Sequence, residues 1–209
     1  MSGANPSGDP ADPRRFSPSA LRNRDPVLAA LSPVLAGASL VLEVASGTGE
    51  HVCHFAAAHP GVTFQPTDPM PEAVASVDAW VAMAGLSNVR PALLLNTTAL
   101  SWPVPAADVV VCLNMIHIAP WPAAIGLIAG AARVLSPGGA LFLYGPFRQN
   151  GAHTAPSNAE FDADLQARNP LWGVRDLEAV LALALAAGFA PPSVQPMPAN
   201  NLAVVWRKE

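Results

Sequence analysis

Positive charge is scarce in this chain of 209 residues: 11 Lys and Arg stand against 15 Asp and Glu, a net charge of −4 with a pI near 5.7. Affinity for nucleic acid rests largely on clustered Lys and Arg, so a partner held mainly through phosphates is not expected. The one basic cluster, Arg14, Arg15, Arg22 and Arg24, is short enough to be a solvated face. Cysteine is scarcer still. Cys53 and Cys112 fall inside apolar segments and make no disulfide framework, which points to a reducing, cytoplasmic setting. Long apolar runs are missing as well: nothing reaches the roughly 18 uncharged residues of a membrane span. The longest candidate, residues 177–190, carries Glu178 and stops at Gly188, and reads as a buried helix with a glycine stop. The opening "MSGANPSGDPADPRR" lacks the apolar core of a signal peptide, and residues 1–15 are expected to be a disordered tail. What remains, residues 16–209, is apolar enough (51% hydrophobic, 12% charged over the whole chain) to bury the core of a single domain.

Along that domain, strand-like and helix-like segments alternate. "SALRNRDPVLAALSPVLA" has apolar residues at helical spacing, with Pro26 and Pro33 expected to limit it to short helices. Five strands are expected over 40–45, 62–68, 91–96, 107–114 and 140–147, separated by helices that follow "TGE", Pro71 and Pro120. "SVQPM" and "LAVVWRK" complete seven strands, and the "PAN" between them is too short for a crossover. The expected fold is therefore α/β: a Rossmann-like, doubly wound, mostly parallel seven-stranded sheet with an antiparallel last strand and helices on both faces. Residues 148–173 form the one long irregular stretch, read as a lid-like insertion.

The segment "VLEVASGTGEH" lies at the end of the first strand, where open α/β sheets bind ligands. Gly47 and Gly49 allow close backbone approach, and the helix that follows offers free N–H groups. Asp68 closes the second strand 19 residues beyond Gly49, placed to accept hydrogen bonds from both hydroxyls of a ribose. A dinucleotide fingerprint needs a third glycine where Val52 stands, and the Gly-Lys-Ser/Thr of a P-loop is absent. An acid inside the first strand, Glu43, suits a cationic ligand, and the set fits S-adenosylmethionine with its sulfonium and ammonium charges. The blander alternative is that the glycines only turn the chain, Glu43 is incidental and Asp68 caps the helix starting at Pro71. His51, Cys53 and His54 lack a completing carboxylate and are read as core packing; no metal is expected.

From Arg22 to Lys208 the chain resembles class I S-adenosylmethionine-dependent methyltransferases, and more closely the methyltransferase-like 26 family, a former domain-of-unknown-function family. The segments that carry the likeness are "RNRDPVL", "VLEVASGTGEHVCHFA", "FQPTD", "CLNMIHIAPW", "YGPF", "GAHTAPSNAEFDADLQARNPLWGVRD" and "MPANNL". The resemblance implies that Glu43, Ser46, Gly47, Thr48 and Gly49 surround the methionine part and Asp68 the ribose. It also implies adenine contact at the end of the third strand, where many relatives have an acid and this chain has Asn96 and Thr97. Asn114, after the fourth strand, belongs to the same cofactor set.

In that fold the residues after strands four and five border the transferred methyl, which makes His117, Tyr144 and His153 the catalytic candidates. Arg22 and Asn23, the insertion residues Asn158, Trp172 and Arg175, and Asn200 in the last turn are the acceptor-binding candidates. The Asn-Pro-Pro-aromatic motif of amide- and base-methylating relatives is missing, so the expected partner is a small-molecule methyl acceptor, with no nucleic acid and no membrane, for a monomer or homodimer. Two other functions stay open: a non-catalytic S-adenosylmethionine-binding protein, and a nicotinamide-dependent oxidoreductase, which Val52 disfavours.

Overall fold

The computed structural model describes residues 12–209. Helix α1 (Pro18–Leu31) opens under a Ser17 cap and runs unbroken through Pro26. The expected division at that proline does not occur: a proline removes one backbone donor, and the buried Val27 and Leu31 anchor the helix across the gap. Next come β1 (Leu40–Val44), α2 (Glu50–Ala58), β2 (Thr63–Asp68), α3 (Pro71–Ala84), β3 (Leu93–Leu94) and β4 (Ala107–Leu113). A Met115–His117 turn leads to α4 (Trp121–Val134) and β5 (Leu135–Gly145). A hairpin of β6 (Arg148–Gln149) and β7 (Ala152–His153), α5 (Pro156–Arg168), α6 (Leu177–Ala186), β8 (Ser193–Met197) and β9 (Asn201–Arg207) complete the chain.

The seven-stranded sheet has the order β3-β2-β1-β4-β5-β9-β8, parallel throughout except for β9, which pairs antiparallel with both β5 and β8. This is the expected Rossmann-like sheet. Strand alternation divides its apolar residues between two cores. Leu42, Val44, Val110 and Leu141 meet α4 and α6 on one face, while Val41, Val109, Val111 and Phe142 meet α1, α2 and α3 on the other. Cys112 belongs to the first core and Cys53 to the second, both as free thiols. The order reverses between β1 and β4, and the cleft of an open α/β sheet lies at such a reversal.

Several local expectations need correction. The third strand shrinks from six residues to Leu93–Leu94. The fifth begins earlier, at Leu135, and its pairing with β4 jumps from Ala107↔Leu135 to Val109↔Ala140, so that "SPGG" bulges out within it. The 148–173 stretch is not irregular, since it holds the hairpin and the 13-residue α5. Helix α6 is buried on one side only: Val180 and Ala184 are covered while Leu185 is 66% exposed. Of the expected tail, residues 1–11 lie outside the described part. Residues 12–15 are held on α3, where the Arg15 N–H donates to Ser76 Oγ (2.8 Å), Trp80 Nε1 donates to the Arg15 carbonyl (2.9 Å) and Arg14 stacks over Trp80.

Candidate functional site

The turn leaving β1 is built from left-handed backbone: Ala45, Gly47 and Gly49 have φ of 59°, 60° and 94°. Its two glycines serve different ends. A Cβ on Gly47 would meet nothing within 4 Å, whereas one on Gly49 would lie 2.8 Å from Val77 Cα. Gly49 therefore permits close packing of α2 on α3, and Gly47 leaves bare backbone beside a cavity. Asp68 ties the turn down: Gly47 N–H donates to its Oδ2 and Met70 N–H to its Oδ1, both at 3.0 Å. Asp68 thus holds the backbone on both sides of the cleft without capping α3, whose first residues receive no side-chain bond, and it also stands in the cavity wall.

That first cavity, about 330 Å³, is lined by Glu43, Ser46, Gly47, Thr48 and Asp68 from the sheet edge. Arg15, Ser17, Ser19, His51 and Met70 close it from other sides. Glu43 is 3% exposed and its Oε2 has no hydrogen-bond partner. Burial pushes its carboxyl up to about 7, the Asp68 charge adding to the rise and a Ser46 hydrogen bond opposing it. Burial also raises the Asp68 carboxyl, against the two backbone N–H donors. A buried carboxylate with a free oxygen is costly unless a cation or donor reaches it, so the cavity fits a positively charged ligand.

A second cavity, about 390 Å³, shares Ser19, Asn114 and Ile118 with the first. Asn23, Tyr144, Ser157, Asn158, Phe161, Arg168 and Asn201 are among its lining residues. Asn114 stands at the junction with φ 61°, its N–H donating to the Tyr144 carbonyl at 2.7 Å. Helix α5 forms one wall and is tied to the last turn by Asn158, whose Nδ2 donates to Thr154 Oγ1 and to the Asn200 carbonyl, each at 3.0 Å. His51 Nε2, in the first cavity, lies 2.8 Å from Asn23 Oδ1, and Asn23 lines the second cavity with Tyr144. Burial pulls the His51 imidazole down to about 4, so it is neutral near pH 7.

Other candidates lie elsewhere. His117 is fully buried and borders neither cavity. Its Nδ1 accepts the Arg175 N–H (3.3 Å), its Nε2 has no partner, and burial pulls the ring down to about 3. A base must reach the reacting group, so at this position it acts only through its neighbours. His153 faces Asp162 at 3.2 Å, also away from both cavities. Arg175 is spent on backbone: its guanidinium donates to the carbonyls of Ile116, Ala119 and Leu171 at 2.9, 2.7 and 2.8 Å. Trp172 lies under Arg168, Arg22 is exposed on α1, and the Asn200 side chain donates to the Ser157 hydroxyl (3.3 Å). Asn96 accepts from the N–H and hydroxyl of Thr98, and the Thr97 hydroxyl donates to the Ala123 carbonyl (3.0 Å). Neither lines the first cavity; Thr97 ties the loop after β3 to α4, while Asn96 bonds only within that loop.

Sequence reading missed His51, Ser19 and Arg168. His51 is not core packing: two residues past Gly49, on the first turn of α2, it lines the first cavity. His54 likewise leaves the core, to meet Asp25 at 2.8 Å.

Residues 14–208 match the family model described as "Protein of unknown function (DUF938)". Among solved structures, an O-methyltransferase family protein from Burkholderia thailandensis is similar at a TM-score of 0.80 and 20% identity, over 91% of this chain and 57% of that one. Human N-acetylserotonin methyltransferase, solved with SAM, is similar at 0.74 and 18% identity over 91% of this chain and 52% of that one. PigF, solved with SAH, gives 0.75 and 16% identity over 88% and 55%. The chain spans little more than half the length of these structures, and the likeness is one of fold.

Proposed function

The chain belongs to the DUF938 family, and from its paired cavities we propose an S-adenosylmethionine-dependent methyltransferase that acts on a small-molecule acceptor. The sequence segments quoted above further favour kinship with the methyltransferase-like 26 family. One observation carries the reading: a cavity where the buried Glu43 carboxyl keeps one oxygen without a partner, beside Asp68, meets at Asn114 a second and less charged cavity.

S-adenosylmethionine, when bound, supplies a methyl group on a cationic sulfur. The residues of the chain do the rest by placement. Glu43 presents its free oxygen to positive charge in the first cavity, and Asp68 has lone pairs left for ribose hydroxyls after holding two backbone N–H groups. Gly47 lets the ligand lie against bare backbone. Asn114, fixed in left-handed conformation between the cavities, borders the path along which acceptor and methyl group meet. Alignment of this kind contributes about 7–11 kcal/mol to a bimolecular reaction. The two unpaired thiols on opposite faces of the sheet favour a reducing, cytoplasmic setting.

The test is direct. Calorimetric titration with S-adenosylhomocysteine is expected to give one site per chain, and methyl-labelled S-adenosylmethionine is expected to transfer its label to one component of a small-molecule extract. Tight binding with no labelled product in any extract would favour the second reading, a cofactor-binding protein without catalysis. That reading draws on a specific observation: among the described residues, no carboxylate or histidine lines the second cavity. A thermal shift with a nicotinamide dinucleotide and none with S-adenosylhomocysteine would reject both.

A further inference from the structure

Residues 14–17 reach from α3 to the first turn of α2 as a short strap, and its fastenings are backbone ones. On α3 the Arg15 N–H donates to Ser76 Oγ (2.8 Å) and the Arg15 carbonyl accepts from Trp80 Nε1 (2.9 Å), while the Phe16 ring meets Trp80 edge-on at 5.0 Å. On α2 the Ser17 N–H donates to Glu50 Oε2 at 2.7 Å, the same oxygen that accepts from the Thr48 hydroxyl at 2.9 Å. Ser76, fully buried, passes its own hydrogen to the Thr48 carbonyl at 2.7 Å. Both fastenings therefore meet at Thr48, in the turn after β1, and Arg15 and Ser17 line the first cavity together with that turn. Arg15 is exposed, so it stands at the cavity rim, and its place there is fixed by backbone contacts that a change of side chain leaves in being.

The charges around this cavity match those of the proposed ligand in number and sign. Among the described residues that line it, Glu43 and Asp68 are the acids, Arg15 is the one Lys or Arg, and His51 is neutral near pH 7. S-adenosylmethionine carries a sulfonium, an ammonium and a carboxylate. The acids suit the positive groups, but a carboxylate brought among Glu43 and Asp68 alone would meet only like charge. A guanidinium presents paired donors in a fork that fits both oxygens of a carboxylate. We infer that Arg15 is the carboxylate-binding residue of the first cavity, its guanidinium receiving the α-carboxylate of the ligand's amino-acid part while Glu43 faces the positive charge. The inference rests on the proposed cofactor and adds which residue holds the acidic end of that ligand.

The test sets two ligands against two proteins in calorimetric titrations. The ligands are S-adenosylhomocysteine and its decarboxylated form, which keeps the ammonium and lacks the carboxylate; the proteins are the parent and Arg15→Gln. Arg15→Gln is expected to weaken S-adenosylhomocysteine by about five- to tenfold, the range of a charge-assisted contact at a solvent-exposed rim. The decarboxylated form is expected to bind the variant as tightly as the parent or more tightly, since a positive charge has left the cavity. Melts without ligand check that the variant folds as the parent does. Equal weakening of both ligands would make Arg15 a structural part of the strap and overturn the assignment, and so would an unchanged affinity for S-adenosylhomocysteine. If the parent binds neither ligand, the proposed cofactor falls and this inference with it. If the parent binds S-adenosylhomocysteine and only the comparison with the variant fails, the proposed function stands and the role of Arg15 alone is rejected.

Discussion

Glu43 bears the clearest conflict between stability and function. Its carboxyl is raised from the ordinary 4.5 to about 7 by burial, so the native state holds a proton that the unfolded chain releases. The stability this gives is fully present below about 4.5 and is lost as pH rises to about 7. The full loss is roughly 3 kcal/mol. Glu43→Gln keeps the shape and never ionises. In calorimetric melts the variant is expected to gain several degrees over the parent at about pH 8 and to converge with it at about pH 4, while losing affinity for the cationic ligand. Asp68 gives the contrary case, since its two backbone bonds hold the turn beside the proposed ribose site. Asp68→Ala is expected to lower affinity for S-adenosylhomocysteine by about tenfold or more, together with a loss of stability of about 1–3 kcal/mol. Unchanged affinity, measured below the melting range, would refute the ribose assignment.

Between residue and fold stand the turn after β1 and the helix α5. Gly47 and Gly49 share a sequence motif and a positive φ, yet one faces a cavity and the other a neighbouring helix. Gly49→Ala must push Val77 backbone away and hold alanine in the left-handed region, so it is expected to lower stability by about 1–3 kcal/mol in denaturant titrations. Gly47→Ala has room, and is expected to cost about 1 kcal/mol in stability but to weaken ligand binding more, because its methyl group enters the open space. If the two variants showed the reverse order in melts and calorimetry, the division of roles would be wrong. Helix α5 was legible only as an insertion. Its first turn begins with Pro156 and has no side-chain cap bond, and the helix buries chiefly Asn158, Asp162 and Leu165. Two of those three are polar, so an apolar pattern could not reveal the helix. Their partners, Asn200, His153 and Val174, lie in other parts of the chain.

For the molecule as a whole, ligand binding in the first cavity is expected to follow pH, since that cavity holds Glu43 while no carboxylate or histidine lines the second among the described residues. Removing the proton from Glu43 turns the first cavity from neutral to anionic at that wall, so affinity for S-adenosylmethionine is expected to rise as pH climbs to about 7 and then level off. Titrations across that range check this, and Glu43→Gln should flatten the profile. Occupancy at about 100 times Kd should also stabilise the fold by about 2.7 kcal/mol, visible as a rise in melting temperature.

The order of elements was readable because each strand buried on both faces is a continuous apolar run, and glycine or proline marks nearly every helix boundary. Glu43, Gly47 and Asp68 were readable too, because their roles depend on position along one strand–turn–helix unit and the next strand end. Hydrophobic periodicity and turn chemistry are local, and these features follow from them. What lies opposite was decided by tertiary structure alone: that Thr97 folds back on α4, that His117 is sealed under Gly145 beside Phe147, and that His51 meets Asn23 between two cavities. Those contacts join segments tens of residues apart. Which polar group finds which partner there depends on how the packed helices bring them within about 3 Å, a distance that no spacing along the chain encodes.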